Sequence, residues 1–211
     1  MALRLGDKAP NFTAQSTTGN IDLYEWMGDD WALFFSHPAD FTPVCTTELG
    51  QVAKMKTEFD RRGVKVIGLS IDSLEDHKRW LRDIEETQGV RLNYPVIADP
   101  DRKVADRYDM VHTNGDLMVA GRSAYVIDSD KKIRLVITYP ESTGRNFGEL
   151  LRAIDSLKLT TDYGLATPVN WMRGQDVIVP PSLSEDEARK RFPHGWTEVN
   201  HYLRMVADPA V

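Results

Sequence analysis

Apolar and polar residues along this chain fall into short continuous apolar runs separated by longer amphipathic stretches. Trp31 to Ser36 (WALFFS) is apolar up to its last residue and is bounded by Gly28-Asp29-Asp30 and His37-Pro38, which predicts a buried strand. From Cys45 to Arg62, apolar residues recur at Leu49, Val52, Ala53, Met55 and Phe59. That spacing predicts a helix with one inward stripe, stopped by Gly63. Val64 to Ile71 reads as a second buried strand. Ser73 then stands where a helix cap belongs, with Asp76 at the place of a capping-box acid. Leu74, His77, Trp80, Leu81 and Ile84 share one face of that helix, and Gly89 ends it. Tyr94 to Ala98 predicts a short strand and Asp101 to Tyr108 a short helix. Ser123 to Ile127 and Ile133 to Tyr139 form a hairpin around the polar turn Asp128 to Lys132, before a helix from Asn146 to Leu157.

Strands alternating with helices predict a central sheet covered by helices on both faces. The hairpin makes that sheet mixed. The expected class is therefore α/β, a thioredoxin-like three-layer sandwich with a central mixed β-sheet, spanning residues 1–160. Beyond Thr160 the chain is broken by Pro168, Pro180-Pro181, Pro193 and Pro209. Only short elements fit there: a strand over Asp176–Val179 and a helix over Ser184–Arg191 capped by Ser184. Residues 161–211 are read as a smaller C-terminal α+β extension, a dimerisation arm. Its apolar groups Trp171, Val177, Ile178, Phe192, Trp196 and Tyr202 are too few for a core of their own. They are expected to pack on the main domain or on a second subunit.

Composition narrows the function classes. Of 211 residues, 41% are hydrophobic and 27% charged, with a net charge of -6. That balance gives no general attraction to nucleic acid or anionic lipid. No run approaches the roughly 18 apolar residues that span a bilayer. Arg4, Asp7 and Lys8 interrupt the N-terminus where a signal peptide would be apolar, so the cytoplasm is the expected location. There is one cysteine, which excludes an intramolecular disulfide and a cysteine-built zinc site.

A lone cysteine is ordinarily a small buried hydrophobe. Cys45, however, arrives in the first turn of a helix, after a loop that leaves the end of a buried strand. Unpaired backbone N–H groups and the positive end of the helix dipole point there, and both favour thiolate over thiol. Open α/β sheets also place reactive sites beyond the C-terminal ends of their strands. On these grounds a reactive and an inert Cys45 both stand. A cysteine hydrolase would need a histidine base, with His37, His77, His112, His194 and His201 as candidates. The histidines form no pair at i,i+4, so no metal is expected.

Pro38, Thr42 and Cys45 match the Pro-x-x-x-Thr-x-x-Cys signature of peroxiredoxins, and HPADFTPVCTTELG resembles the 1-Cys subfamily. Gly121-Arg-Ser, Ser70 to His77, Tyr139 to Phe147 and Thr167 to Trp171 are similar to stretches of that subfamily, from Gly6 into the C-terminal arm. The resemblance implies a thiol peroxidase of antioxidant defence that reduces hydrogen peroxide and organic hydroperoxides without a cofactor. Cys45 would become a sulfenic acid, which an external thiol (glutathione or a thioredoxin-like protein) would reduce. It implies that Arg122 holds the thiolate and the peroxide, that Thr42 aims the attack, and that Pro38 shields the pocket. Backbone N–H groups near Val44 and Cys45 add donors. Glu48 would orient Arg122 or merely complement the helix end. Arg145 would be a second arginine near the site or a solvated one, and His37 a neighbour of the cysteine or a structural residue. A homodimer or a ring of dimers is implied as well. A phospholipase motif of some members is not matched: Asp30 replaces its serine in Gly28 to Ala32, and Tyr24 its histidine.

Overall fold

The computed structural model describes residues 3–114 and 117–211, the side chains of 112–119 excepted. The chain forms two compact units, Met1–Arg145 and Asn146–Val211.

The first unit runs β1 (Thr13–Ser16), β2 (Gly19–Asp22), α1 (Leu23–Met27), β3 (Trp31–Ser36), α2 (Pro43–Lys54), α3 (Lys56–Asp60) and β4 (Val64–Ser70). It continues with α4 (Leu74–Gln88), β5 (Val96–Ala98), α5 (Lys103–Arg107), β6 (Val111–Asn114), β7 (Leu117–Ala120), β8 (Arg122–Ile127) and β9 (Ile133–Tyr139). Seven strands make one sheet in the order β2-β1-β5-β4-β3-β8-β9. β3, β4 and β5 are parallel, and β8 and β9 return antiparallel. A mixed sheet with helices is the expected thioredoxin-like class.

β3 lies inside the sheet and all six of its residues are buried, which accounts for its unbroken apolar run. Phe34 from β3 meets Tyr108 edge to face at 4.8 Å, in a cluster with Phe12, Ile67 and Leu69. α4 begins as expected, with the Asp76 amide donating to Ser73 Oγ at 3.1 Å. It ends at Gly89, whose φ of 66° is the left-handed conformation that favours glycine. α2 packs against α4.

The expected helix from Cys45 to Arg62 is instead two. Met55 leaves helical geometry (φ -90°, ψ 8°) and its amide turns to the Gln51 and Val52 carbonyls, separating α2 from α3. The hairpins β1–β2 and β6–β7 and helix α1 lie outside the sequence pattern. β1 and β2 are mostly polar, with only one residue buried in each, so they show no apolar run.

The second unit contains α6 (Phe147–Tyr163), β10 (Val177–Val179), α7 (Glu185–Arg191), β11 (Thr197–Asn200) and β12 (Leu203–Val206). Its strands form a sheet in the order β10-β12-β11. The unit starts before α6, whereas the sequence division placed that helix in the first domain. The reason is packing: Leu159 of α6 joins Leu165, Trp171, Val177, Val179, Ala188 and Val206 in one buried cluster, with Phe192 and Trp196 against it. The extension thus has a small core of its own, contrary to expectation, and Tyr202 is exposed. α7 carries a full capping box between Ser184 and Glu187.

Candidate active site

β3 delivers the chain into a short loop, and α2 starts six residues after His37 with Pro43, a residue suited to the first helical position. Thr42 is the N-cap in extended conformation, but its side chain does not cap the helix; its hydroxyl donates to the Ala39 carbonyl at 2.8 Å. The first bond back to the N-cap is that of the Thr46 amide to the Thr42 carbonyl. The Val44 and Cys45 amides are therefore the first-turn donors. Cys45 is fully buried in that turn, and Pro38 is buried in the loop before it. Phe41, at the loop's outer bend, has a positive φ of 55° and is exposed.

One arginine reaches the sulfur, and a carboxylate and a second arginine hold that arginine in place. Arg122, at the start of β8, donates from Nη1 to Cys45 Sγ at 3.3 Å and to Glu48 Oε2 at 2.8 Å. Its Nε donates to the Glu141 carbonyl at 2.7 Å, fixing the plane of the guanidinium. Glu48 lies one helical turn after Cys45 on the inward side of α2. Arg145 holds it in a fork, from Nε to Oε1 at 2.9 Å and from Nη2 to Oε2 at 2.7 Å, and the Arg145 amide adds a bond at 2.7 Å. Arg145 Nη1 binds the Ser36 and Ser123 carbonyls, and its guanidinium lies over the Phe35 ring at 4.8 Å.

All three charged side chains are buried. Burial alone would raise the Glu48 pKa, but the bonds and charge of Arg145, with the charge of Arg122, hold it below the usual carboxylate range. Glu48 is thus an anion, shared by two guanidiniums. One of the two, Arg122, also directs an N–H at the Cys45 sulfur.

Comparison with known proteins points the same way. Residues 5–136 match the AhpC/TSA family, and residues 156–197 match the C-terminal domain of 1-Cys peroxiredoxin. A 1-Cys peroxiredoxin of Dictyostelium discoideum is 51% identical over 98% of this chain and 86% of that protein. The chain belongs to the peroxiredoxins. With Cys45 as its single cysteine it is a 1-Cys thiol peroxidase. A solved structure of a yeast mitochondrial 1-Cys peroxiredoxin, concerned with thiol resolution via glutathione/thioredoxin systems, superimposes with a TM-score of 0.91. It is 48% identical, over 97% of this chain and 99% of that one. A peroxiredoxin 6 of Arenicola marina, solved as a cysteine-to-serine mutant, gives a TM-score of 0.93 at 41% identity over the whole of both chains.

Of the residues singled out in the sequence of this peroxiredoxin, Cys45, Glu48, Arg122 and Arg145 meet in one network. Pro38, Thr42 and Val44 frame the loop. His37 has other partners: its Nε2 lies 2.9 Å from Asp40 Oδ1, and Asp40 Oδ2 lies 2.6 Å from His77 Nδ1. These donors and acceptors come within 4.8 Å of one another, but both Asp40 oxygens are taken up by imidazole nitrogens, which makes them a hydrogen-bond chain. Sequence reading missed Asp40 and the role of His77. The available signal was a histidine on the apolar face of α4, where a buried imidazole must find a polar partner. The side chain of His112 lies outside the described residues, and His201 is exposed. At the unmatched phospholipase motif, Asp30 pairs with Lys65 at 3.3 Å and the Tyr24 hydroxyl donates to the Ala9 carbonyl. Among the described residues no helix is long and apolar enough to cross a membrane.

Proposed function

We propose that Cys45 performs the peroxide-reducing step, on the strength of one observation above all: Arg122 Nη1 stands 3.3 Å from its sulfur. The thiolate attacks the outer peroxide oxygen, forming an S–O bond as the O–O bond breaks. Sulfur is oxidised to sulfenic acid, and the departing oxygen takes a proton and leaves as water or alcohol. Negative charge moves from sulfur onto that oxygen, so fixed donors near both ends of its path lower the barrier. Arg122 supplies one such donor, and the Val44 and Cys45 amides supply others. Thr42 shapes the loop through Ala39 and presents its hydroxyl oxygen to the incoming peroxide. Pro38 keeps water from the sulfur. Glu48 and Arg145 position Arg122, since the two arginines bond to the one Glu48 carboxylate.

Hydrogen peroxide and small organic hydroperoxides suit a sulfur so deeply buried. With no second cysteine in the sequence, an external thiol completes the cycle; glutathione or a thioredoxin-like protein is proposed, as for the yeast relative. Excess peroxide then carries Cys45 to the sulfinic acid. A homodimer is proposed on the outer strand β9, which ends the sheet and offers its edge to a second copy. The cytoplasm is the proposed location. Steady-state peroxide consumption with glutathione or with a thioredoxin system tests the cycle: turnover with either supports it, and none with any thiol contradicts it.

A further inference from the structure

The chain of His37, Asp40 and His77 has no part in the steps above, yet it is as deeply buried as the arginine network. His77 Nε2 lies 3.1 Å from the Ile97 carbonyl of β5. A carbonyl only accepts, so Nε2 carries a hydrogen. Nδ1 of the same ring faces Asp40 Oδ2 at 2.6 Å, and a proton between them makes an imidazolium–carboxylate pair. The other oxygen, Oδ1, then accepts from His37 Nε2. An uncharged His37 has that one hydrogen, so its Nδ1 must be a bare lone pair. Nδ1 is indeed buried without a hydrogen-bond partner among the described residues. Turning the ring over would set a carbon against Asp40 and lose the bond.

The proton count gives a chain with one cation and one anion, which burial tolerates. Burial pushes the His37 pKa down. Burial also works against a charged His77, but the hydrogen bond and charge of Asp40 outweigh it and raise its pKa. The other charges facing the chain are Asp72, which accepts from the Asp40 amide at 3.1 Å, and Asp76 in the first turn of α4.

The chain is tied to the cysteine's turn from two sides. His37 follows Ser36, whose carbonyl Arg145 holds. The His37 ring lies 5.2 Å from Trp80, whose Nε1 donates to the hydroxyl of Thr46, the residue after Cys45. A buried acceptor left unmet is costly, and here the fold maintains one within the loop that carries the chemistry.

We propose that His77, acting through Asp40, is a positioning residue that fixes His37 as the neutral Nε2–H tautomer, so that Nδ1 stays an acceptor for a protic group entering the Cys45 loop. Removing the imidazolium leaves the Asp40 carboxylate unbalanced, which draws a proton onto His37 and turns Nδ1 from acceptor to donor.

Imidazole 15N spectra of the full chain test this directly, with assignments from His37→Gln. At neutral pH the wild type must show His37 Nδ1 unprotonated and both nitrogens of His77 protonated. In His77→Asn, which keeps an N–H near Asp40 but no charge, His37 Nδ1 becomes protonated. The rate of this variant with hydrogen peroxide falls about tenfold at pH 7 and returns toward wild type at higher pH, as His37 loses its extra proton. A loss that stays constant with pH would mean a merely structural His77 and would overturn the proposal. So would a protonated His37 Nδ1 in the wild type, a measurement that needs no variant to fold. The kinetic arm rests on Cys45 being peroxidatic; the spectra do not, so failure of either reading is seen separately.

Discussion

The first unit holds two buried charge clusters around one loop, and they are made of different ions. Arg122, Glu48 and Arg145 next to Cys45 use guanidiniums, which stay charged at every pH a protein survives. His37, Asp40 and His77 use imidazoles, whose protons come and go near neutrality. The first cluster sets a guanidinium, whose charge does not vary with pH, against the sulfur, and so provides a constant field. The second is neutral within itself, and its state depends on where one proton rests. A cysteine that must react over a range of pH is better served by the first kind, and a nitrogen that must be an acceptor by the second.

The comparison breaks most visibly at Arg122. Replacing it with lysine keeps a positive charge but loses the simultaneous hold on sulfur and Glu48. Stopped-flow mixing with hydrogen peroxide should show a loss on the order of 10²–10³-fold in rate, with the fold retained. Arg145→Ala should act on stability first, because it strips the fork from a buried carboxylate. Chemical denaturation is expected to show a loss of about 3–5 kcal/mol.

The two clusters should also titrate with opposite signs. The Glu48 pKa is lowered in the fold, so its contribution is present above the ordinary value of about 4.3 and is lost as pH falls through the folded value. The stability gap between wild type and Glu48→Gln should therefore narrow on acidification. The His77 pKa is raised, so its contribution is complete below about 6.5 and is lost as pH rises through the folded value. The gap to His77→Asn should narrow on the alkaline side. Gaps that change in the same direction would dissolve the distinction. The smallest effect lies outside both clusters: Ser184→Ala removes the α7 cap and should cost about 1 kcal/mol of stability while leaving the rate at Cys45 unchanged.

Local signals made much of this legible in the sequence. The span of β3 follows from its apolar run, and α4 from Ser73 and Gly89, because caps and buried strands are written in adjacent residues. The position of Cys45 in a first helical turn was readable from the loop and Pro43. What brings Glu48 between two arginines was not, since β8 and the segment before α6 supply those arginines from far along the chain. Asp40 and His77 stood apart for the same reason: their contact depends on how α4 packs against the loop that leaves β3. The break at Met55 has no glycine or proline to announce it.

The central claim is that the fixed positive charge of Arg122 makes the Cys45 sulfur reactive toward peroxide. Stopped-flow reaction of the reduced protein with one equivalent of hydrogen peroxide, with dimedone trapping and a Cys45→Ser control, measures it most directly. The account predicts rapid consumption of the peroxide and a dimedone adduct on Cys45, with neither in the control. A rate no faster than that of a free thiol in solution would contradict it.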